Sequence, residues 1–193
     1  LERRGELENT IVVFTSDHGE MLGDHGLLYK GCRFYEALVR VPLIISWPAK
    51  WAGDLRIDGL VELVDLAPTL LEAVGIDVPA EMQGRSLVPV LDSSADPDRI
   101  KDRVMSEYWD AIACPDGEQD HTHATMYFDG RYKSVVYHGH GIGELYDLET
   151  DPGETNDLWD RAEYATLRAE ILAKHFDAYA ESTGPRSERT GPY

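Results

Sequence analysis

The chain has 193 residues, 42% of them hydrophobic, enough for a globular core in one large or two small domains. Its 36 acidic and 18 basic side chains leave a formal net charge of −18, which repels phosphates and so argues against nucleic acid or an anionic bilayer as a partner. No apolar run approaches the ~20 residues that a membrane span needs.

Residues 1–9 read LERRGELEN, the charged tail of a helix with a stop at Gly5, without an initiator Met or a signal peptide. They run straight into a buried strand, so the chain is expected to be the C-terminal part of something longer. Ile11 to Phe14 is a continuous apolar run, the pattern of a strand covered on both faces in a parallel sheet flanked by helices. Val41-Pro42-Leu43-Ile44-Ile45 is a second, and Arg33 to Val39 between them has mixed helical character. Apolar residues at 60, 61, 64, 67, 70, 71 and 74 give a helical repeat. Pro68 within it places the start of regular helix near that residue, with Gly75 as the stop.

The polar stretch DSSADPDRIKD, 92–102, is the best internal boundary. It divides the chain into an α/β portion, 1–92, and a smaller domain, 93–193. In the latter, Ala124 to Phe128 and Arg131 to Tyr137 flank Asp129-Gly130, a hairpin signal. Glu144 to Leu148 reads as a further strand closed by Asp151-Pro152-Gly153. Ala162 to Tyr179 carries Tyr164, Leu167, Ile171, Leu172, Phe176 and Tyr179 at helical spacing. The fold class is therefore α/β: the end of a core sheet, then a small antiparallel sheet with a helix packed on it.

Chemistry concentrates after the first strand, in TIVVFTSDHGEMLGDHGLLYKG. In open α/β sheets ligands collect beyond the carboxyl ends of strands, and Asp17 and His18 stand there. Where the chain turns, a carboxylate and an imidazole can converge on one point, and together they make half of a divalent-cation site. Spacing alone leaves open that Asp17 caps the next turn and that His18 is a hydrogen-bonded spacer. Asp24, His25 and Lys30 crowd the same segment; a Gly-flanked Asp is first a turn former, and a lone Lys is commonly a solvated charge. Elsewhere His121 and His123, and His138 and His140 around Gly139, read first as surface histidines, with cleft lining or adventitious metal binding as the alternative, and Trp47, Trp51, Trp109 and Trp159 read as packing residues.

The stretch NTIVVFTSDHGEMLGDHGLLYKG, followed by RVPLIISWP, LVDLAPTLLEAVGIDVP, MQGRSL, GRYKSVVYHG and GELYDLETDPGETNDL, resembles the C-terminal part of type I sulfatases in the alkaline-phosphatase-like superfamily. The resemblance implies that Asp17 and His18 bind a single divalent cation, Ca²⁺ with Mn²⁺ as the alternative. It implies that Lys30 contacts the sulfate and the leaving-group oxygen, and that His25 belongs to the same loop with a role that varies between members. A His as the second ligand puts the chain with the branch that includes phosphonate monoester hydrolases. These sulfatases use a formylglycine made from Cys or Ser in a Cys/Ser-x-Pro/Ala-x-Arg motif near the N-terminus. Neither Cys32 (CRFYE) nor Cys114 (CPDGE) fits it, and Ser86 does not either. The expectation is a sulfatase segment that acts on a small-molecule or carbohydrate sulfate ester only with the N-terminal half of the same enzyme. The alternatives are a phosphonate monoester or phosphodiester hydrolase of the superfamily, and a non-catalytic remnant.

Overall fold

The computed structural model describes residues 1–109 and 122–183. Cys114, His121 and the last ten residues lie outside the described residues. In chain order the regular elements are β1 (Val12–Thr15), α1 (Glu36–Val39), β2 (Leu43–Ser46), α2 (Leu66–Ala73), α3 (Val88–Leu91), β3 (Val104–Trp109), β4 (His123–Phe128), β5 (Tyr132–Tyr137), β6 (Ile142–Asp147) and α4 (Ala165–Thr183). Residues 1–16 with 42–102 form one compact unit; 17–41 with 103–109 and 122–181 form a second.

In the first unit β1 and β2 pair antiparallel, with Phe14 opposite Ile44 and Val12 opposite Ser46. Leu43 and Ile45 pack against the cluster of Leu87, Val90 and Ile100. On the other face Phe14 and Ile44 are about 60% exposed. The parallel pairing expected from sequence is thereby corrected to an antiparallel one, and among the described residues the second face of the strands has no cover. Consecutive apolar residues show that both faces are oily; they do not set the direction of the neighbour or supply a cover for the second face.

Pro68 lies in the first turn of α2, where its missing N–H has no intrahelical partner to lose. The helix ends as expected at Gly75, whose φ of +77° lets its N–H reach Glu72 O and the Ile76 N–H reach Leu71 O. Before the helix, the Glu62 N–H donates to Asp65 Oδ2 at 2.8 Å. The fully buried Asp65 also accepts from Arg85 N and Lys101 Nζ, each at 2.7 Å.

The second unit is built on the antiparallel sheet β3-β4-β5-β6. The hairpin between β4 and β5 falls where the sequence puts it, but Asp129 N–H donates to Tyr132 O, so the reversal runs over Gly130 and Arg131. Gly130 at φ +93° meets the left-handed requirement at the first of these positions.

Both faces of this sheet are covered. Tyr127 and Leu145 pack against Ile171 and Ala178 of α4 and against Leu158. On the opposite face Ala124, Met126, Val135 and Tyr137 pack against Phe34. Phe176 does not join the buried face of α4; it is 69% exposed, and His175 takes the inward position, 3% exposed. The inward stripe follows Leu167, Ile171, His175 and Ala178, a 3.6-residue repeat that passes beside Phe176. Trp51 packs as expected, whereas Trp109 is 63% exposed.

Candidate active site

Asp17 and His18 follow β1 at a turn made by close approach. The Gly19 N–H donates to Leu38 O at 2.8 Å, and a Cβ at position 19 would fall 1.9 Å from Ala37 O. Any side chain there would displace α1, so glycine is needed for space.

The same turn fixes the His18 ring. Nδ1 lies 2.7 Å from Gly19 O; a carbonyl only accepts, so Nδ1 carries the proton and Nε2 the lone pair. That lone pair faces Lys30 Nζ at 2.7 Å. Asp17 Oδ2 stands 3.6 Å from Nε2, and Asp17 Oδ1 accepts the His18 N–H at 3.0 Å. This backbone bond lowers the Asp17 pKa and favours its carboxylate form. The Asp17 side chain is 86% exposed and that of His18 39% exposed.

Asp17, His18 and Lys30 thus converge on one imidazole nitrogen. His25 is engaged separately: its ring stacks on Tyr35 with centroids 3.8 Å apart and planes at 11°. It holds φ +52° within the turn Asp24–Gly26. Tyr35 in turn approaches Tyr146 at 6.2 Å, and Tyr146 donates to Glu144. Burial raises the Tyr35 pKa, which keeps its ring a neutral platform.

The donor chemistry fits half of a divalent-cation site. A carboxylate oxygen and an imidazole nitrogen held with its other N–H on a carbonyl are both suitable ligands. Among the described residues no group of three or more His, Cys, Asp and Glu side chains could hold a metal ion. A divalent cation with four to eight ligands would need others besides these two.

Other histidines form a second network, in which His123 and His138, expected at the surface, join the buried His175. His123 Nε2 lies 2.9 Å from Glu107 Oε1, and its ring stacks on His138 at 4.4 Å. The Thr125 hydroxyl lies 2.9 Å from His138 Nε2 and 2.8 Å from His175 Nε2.

Residues 23–181 match the family of N-sulphoglucosamine sulphohydrolase C-terminal domains. The chain belongs to the sulfatase family. It is 36% identical over 173 residues to an N-acetylglucosamine-6-O-sulfatase of Bacteroides thetaiotaomicron, covering 89% of this chain and 30% of that protein. A structure solved in complex with its substrate D-glucosamine-2-N,6-O-disulfate superposes with a TM-score of 0.82 at 30% identity, covering 98% of this chain and 38% of the other. A phosphonate monoester hydrolase of Agrobacterium radiobacter superposes with a TM-score of 0.81 at 30% identity, covering 94% and 37%. The sulfatase-family chain therefore spans about three tenths of the length of the curated relative, and its fold is that of the C-terminal part of these enzymes.

Lys133, Glu154 and His175 are polar residues that the sequence reading did not single out. Lys133 had a readable signal: in YKSVVY it shares the period-two face of Val135 and Tyr137, which are buried.

Proposed function

We propose that this chain is the C-terminal segment of a sulfuric ester hydrolase, in which Asp17 and His18 supply half of a divalent-cation site and Lys30 contacts the sulfate. The observation that carries this reading is the convergence of Asp17, His18 and Lys30 on His18 Nε2, in a chain of the sulfatase family. The cation is Ca²⁺, with Mn²⁺ as the alternative, and when bound it would supply positive charge to the non-bridging sulfate oxygens. The formylglycine nucleophile and the remaining ligands come from polypeptide outside these 193 residues. The bare apolar face of Phe14 and Ile44 supports this, as a surface that further chain would cover.

Each residue has work set by its geometry. Asp17 holds a carboxylate at the turn, kept charged by the His18 N–H. His18 keeps its Nδ1 proton on Gly19 O, so its Nε2 lone pair, which faces Lys30 Nζ in this structure, is the one that would turn to a cation when Lys30 moves to the sulfate. As the S–O bond to the leaving group breaks, charge grows on the bridging oxygen. The Lys30 ammonium, a donor without an acceptor role, stabilises it there by hydrogen bonding. His25, oriented by Tyr35, lies in the same loop.

A phosphonate monoester or phosphodiester hydrolase is the second reading, favoured by His18 and by the likeness to the Agrobacterium enzyme. Turnover of an aryl sulfate, a phenylphosphonate monoester and a phosphodiester by the full-length protein, each with Ca²⁺ or Mn²⁺, tests the two. The sulfate should have the highest kcat/KM; a higher value on the phosphonate would overturn the assignment in favour of the second reading.

A further inference from the structure

We propose that Lys133 and Glu154 form a positioning clamp that sets the His18 imidazole through α1; this rests on the reading of Asp17, His18 and Lys30 given above. The Lys133 side chain is 1% exposed, and that of Glu154 2% exposed. An ammonium has three N–H groups, and this one has three acceptors: Phe34 O at 3.1 Å, Glu36 Oε1 at 2.5 Å and Glu154 Oε1 at 2.8 Å. The second oxygen of Glu154 accepts the backbone N–H of Glu36 at 2.7 Å. The main chain is thus gripped on both sides of Tyr35, at the carbonyl of residue 34 and the amide of residue 36.

From that grip a continuous line leads to the site. Glu36 opens the single turn of α1; the carbonyl of Leu38 in this turn accepts from Gly19, and the Gly19 carbonyl accepts from His18 Nδ1. Tyr35, between the two gripped peptide groups, is the residue on which His25 stacks. Glu154 holds φ +51°, a sparsely populated conformation for a residue with a side chain, and its own hydrogen bonds keep it there. Removing the ammonium would leave two carboxylates, one of them deeply buried, sharing a pocket without their cation.

The test uses the full-length protein with Lys133→Met, and Ile171→Ala in α4 as a control that opens a cavity on the far face of the sheet. Three quantities are read: hydrogen exchange of the Gly19 amide, Ca²⁺ affinity, and kcat/KM on an aryl sulfate. Lys133→Met should speed Gly19 exchange about tenfold or more and lower Ca²⁺ affinity and kcat/KM by about tenfold, in the range for residues that support a ligand. Ile171→Ala should lower Tm while leaving all three within about twofold of wild type. Unchanged Gly19 protection in Lys133→Met, or an equal loss in Ile171→Ala, overturns the clamp. Should Lys133→Met not fold, Glu154→Gln, which keeps an acceptor for Lys133 but loses the charge, must shift the same readouts in the same direction. Loss of Gly19 protection with turnover and Ca²⁺ affinity intact in His18→Ala and Lys30→Ala would uphold the clamp and reject the reading of the site.

Discussion

His175 shows what a single inward polar residue does to this protein. Its Nδ1 lies 2.9 Å from the Ser134 hydroxyl and its Nε2 2.8 Å from that of Thr125, with the Tyr127 ring 5.8 Å away and His138 sharing Thr125. Burial first, and then the charge of His138, push its pKa down to about 4. The fold therefore prefers the neutral ring, while the unfolded chain takes up a proton near pH 6.5. The stability this contributes is fully present above pH 6.5 and is lost as pH falls toward 4, by roughly 3 kcal/mol from this group. Urea unfolding of the full-length protein at pH 7 and at pH 4.5 should show that loss. His175→Gln, which retains a donor and an acceptor, should flatten the dependence; an unchanged pH slope in the variant would refute the assignment to His175.

At the scale of elements, the decisive contact is the approach of the 17–19 turn to α1. Gly19→Ala would place a methyl 1.9 Å from a backbone oxygen, and main chain yields less readily than a side chain. About 2 kcal/mol or more of destabilisation is expected, a cost within the range for overpacking. It should come with weaker Ca²⁺ binding, because Gly19 also holds His18. A variant with wild-type Tm and affinity would show that the turn can open freely. The β4–β5 hairpin, the α2 stop at Gly75 and the long C-terminal helix were legible in the sequence because local chemistry decides them: a left-handed glycine at each of positions 130 and 75, and a 3.6-residue stripe. The antiparallel pairing of β1 with β2 was not, since direction is set by partners distant in sequence. Phe176 misled for a similar reason, because hydrophobicity gave it to a stripe that geometry assigns to His175. Asp17, His18 and Lys30 could be named from their motif, but their meeting at one nitrogen depends on the Gly19–Leu38 contact. The Lys133 clamp is written in a tertiary pairing that only the fold reveals.

For the whole molecule, two compact units and a family match over residues 23–181 describe the C-terminal part of a sulfatase. Among the described residues no helix is long and apolar enough to cross a membrane. With a formal charge of −18, the anionic ester proposed as substrate would approach against the field of this chain, and the proposed role of Lys30 includes a local attraction that offsets it. The isolated 193 residues, without a formylglycine motif, should hydrolyse aryl sulfate at the background rate even with Ca²⁺. Metal-dependent turnover by this chain alone would refute the proposed external nucleophile. The most direct test of the central claim is a Ca²⁺ titration of aryl sulfate turnover in the full-length protein, its His18→Ala variant and its Lys30→Ala variant. The account predicts that His18→Ala raises the half-saturating Ca²⁺ concentration about tenfold or more, and that Lys30→Ala lowers kcat about a hundredfold with the Ca²⁺ requirement little changed. Wild-type rates and wild-type Ca²⁺ dependence in both variants would contradict it.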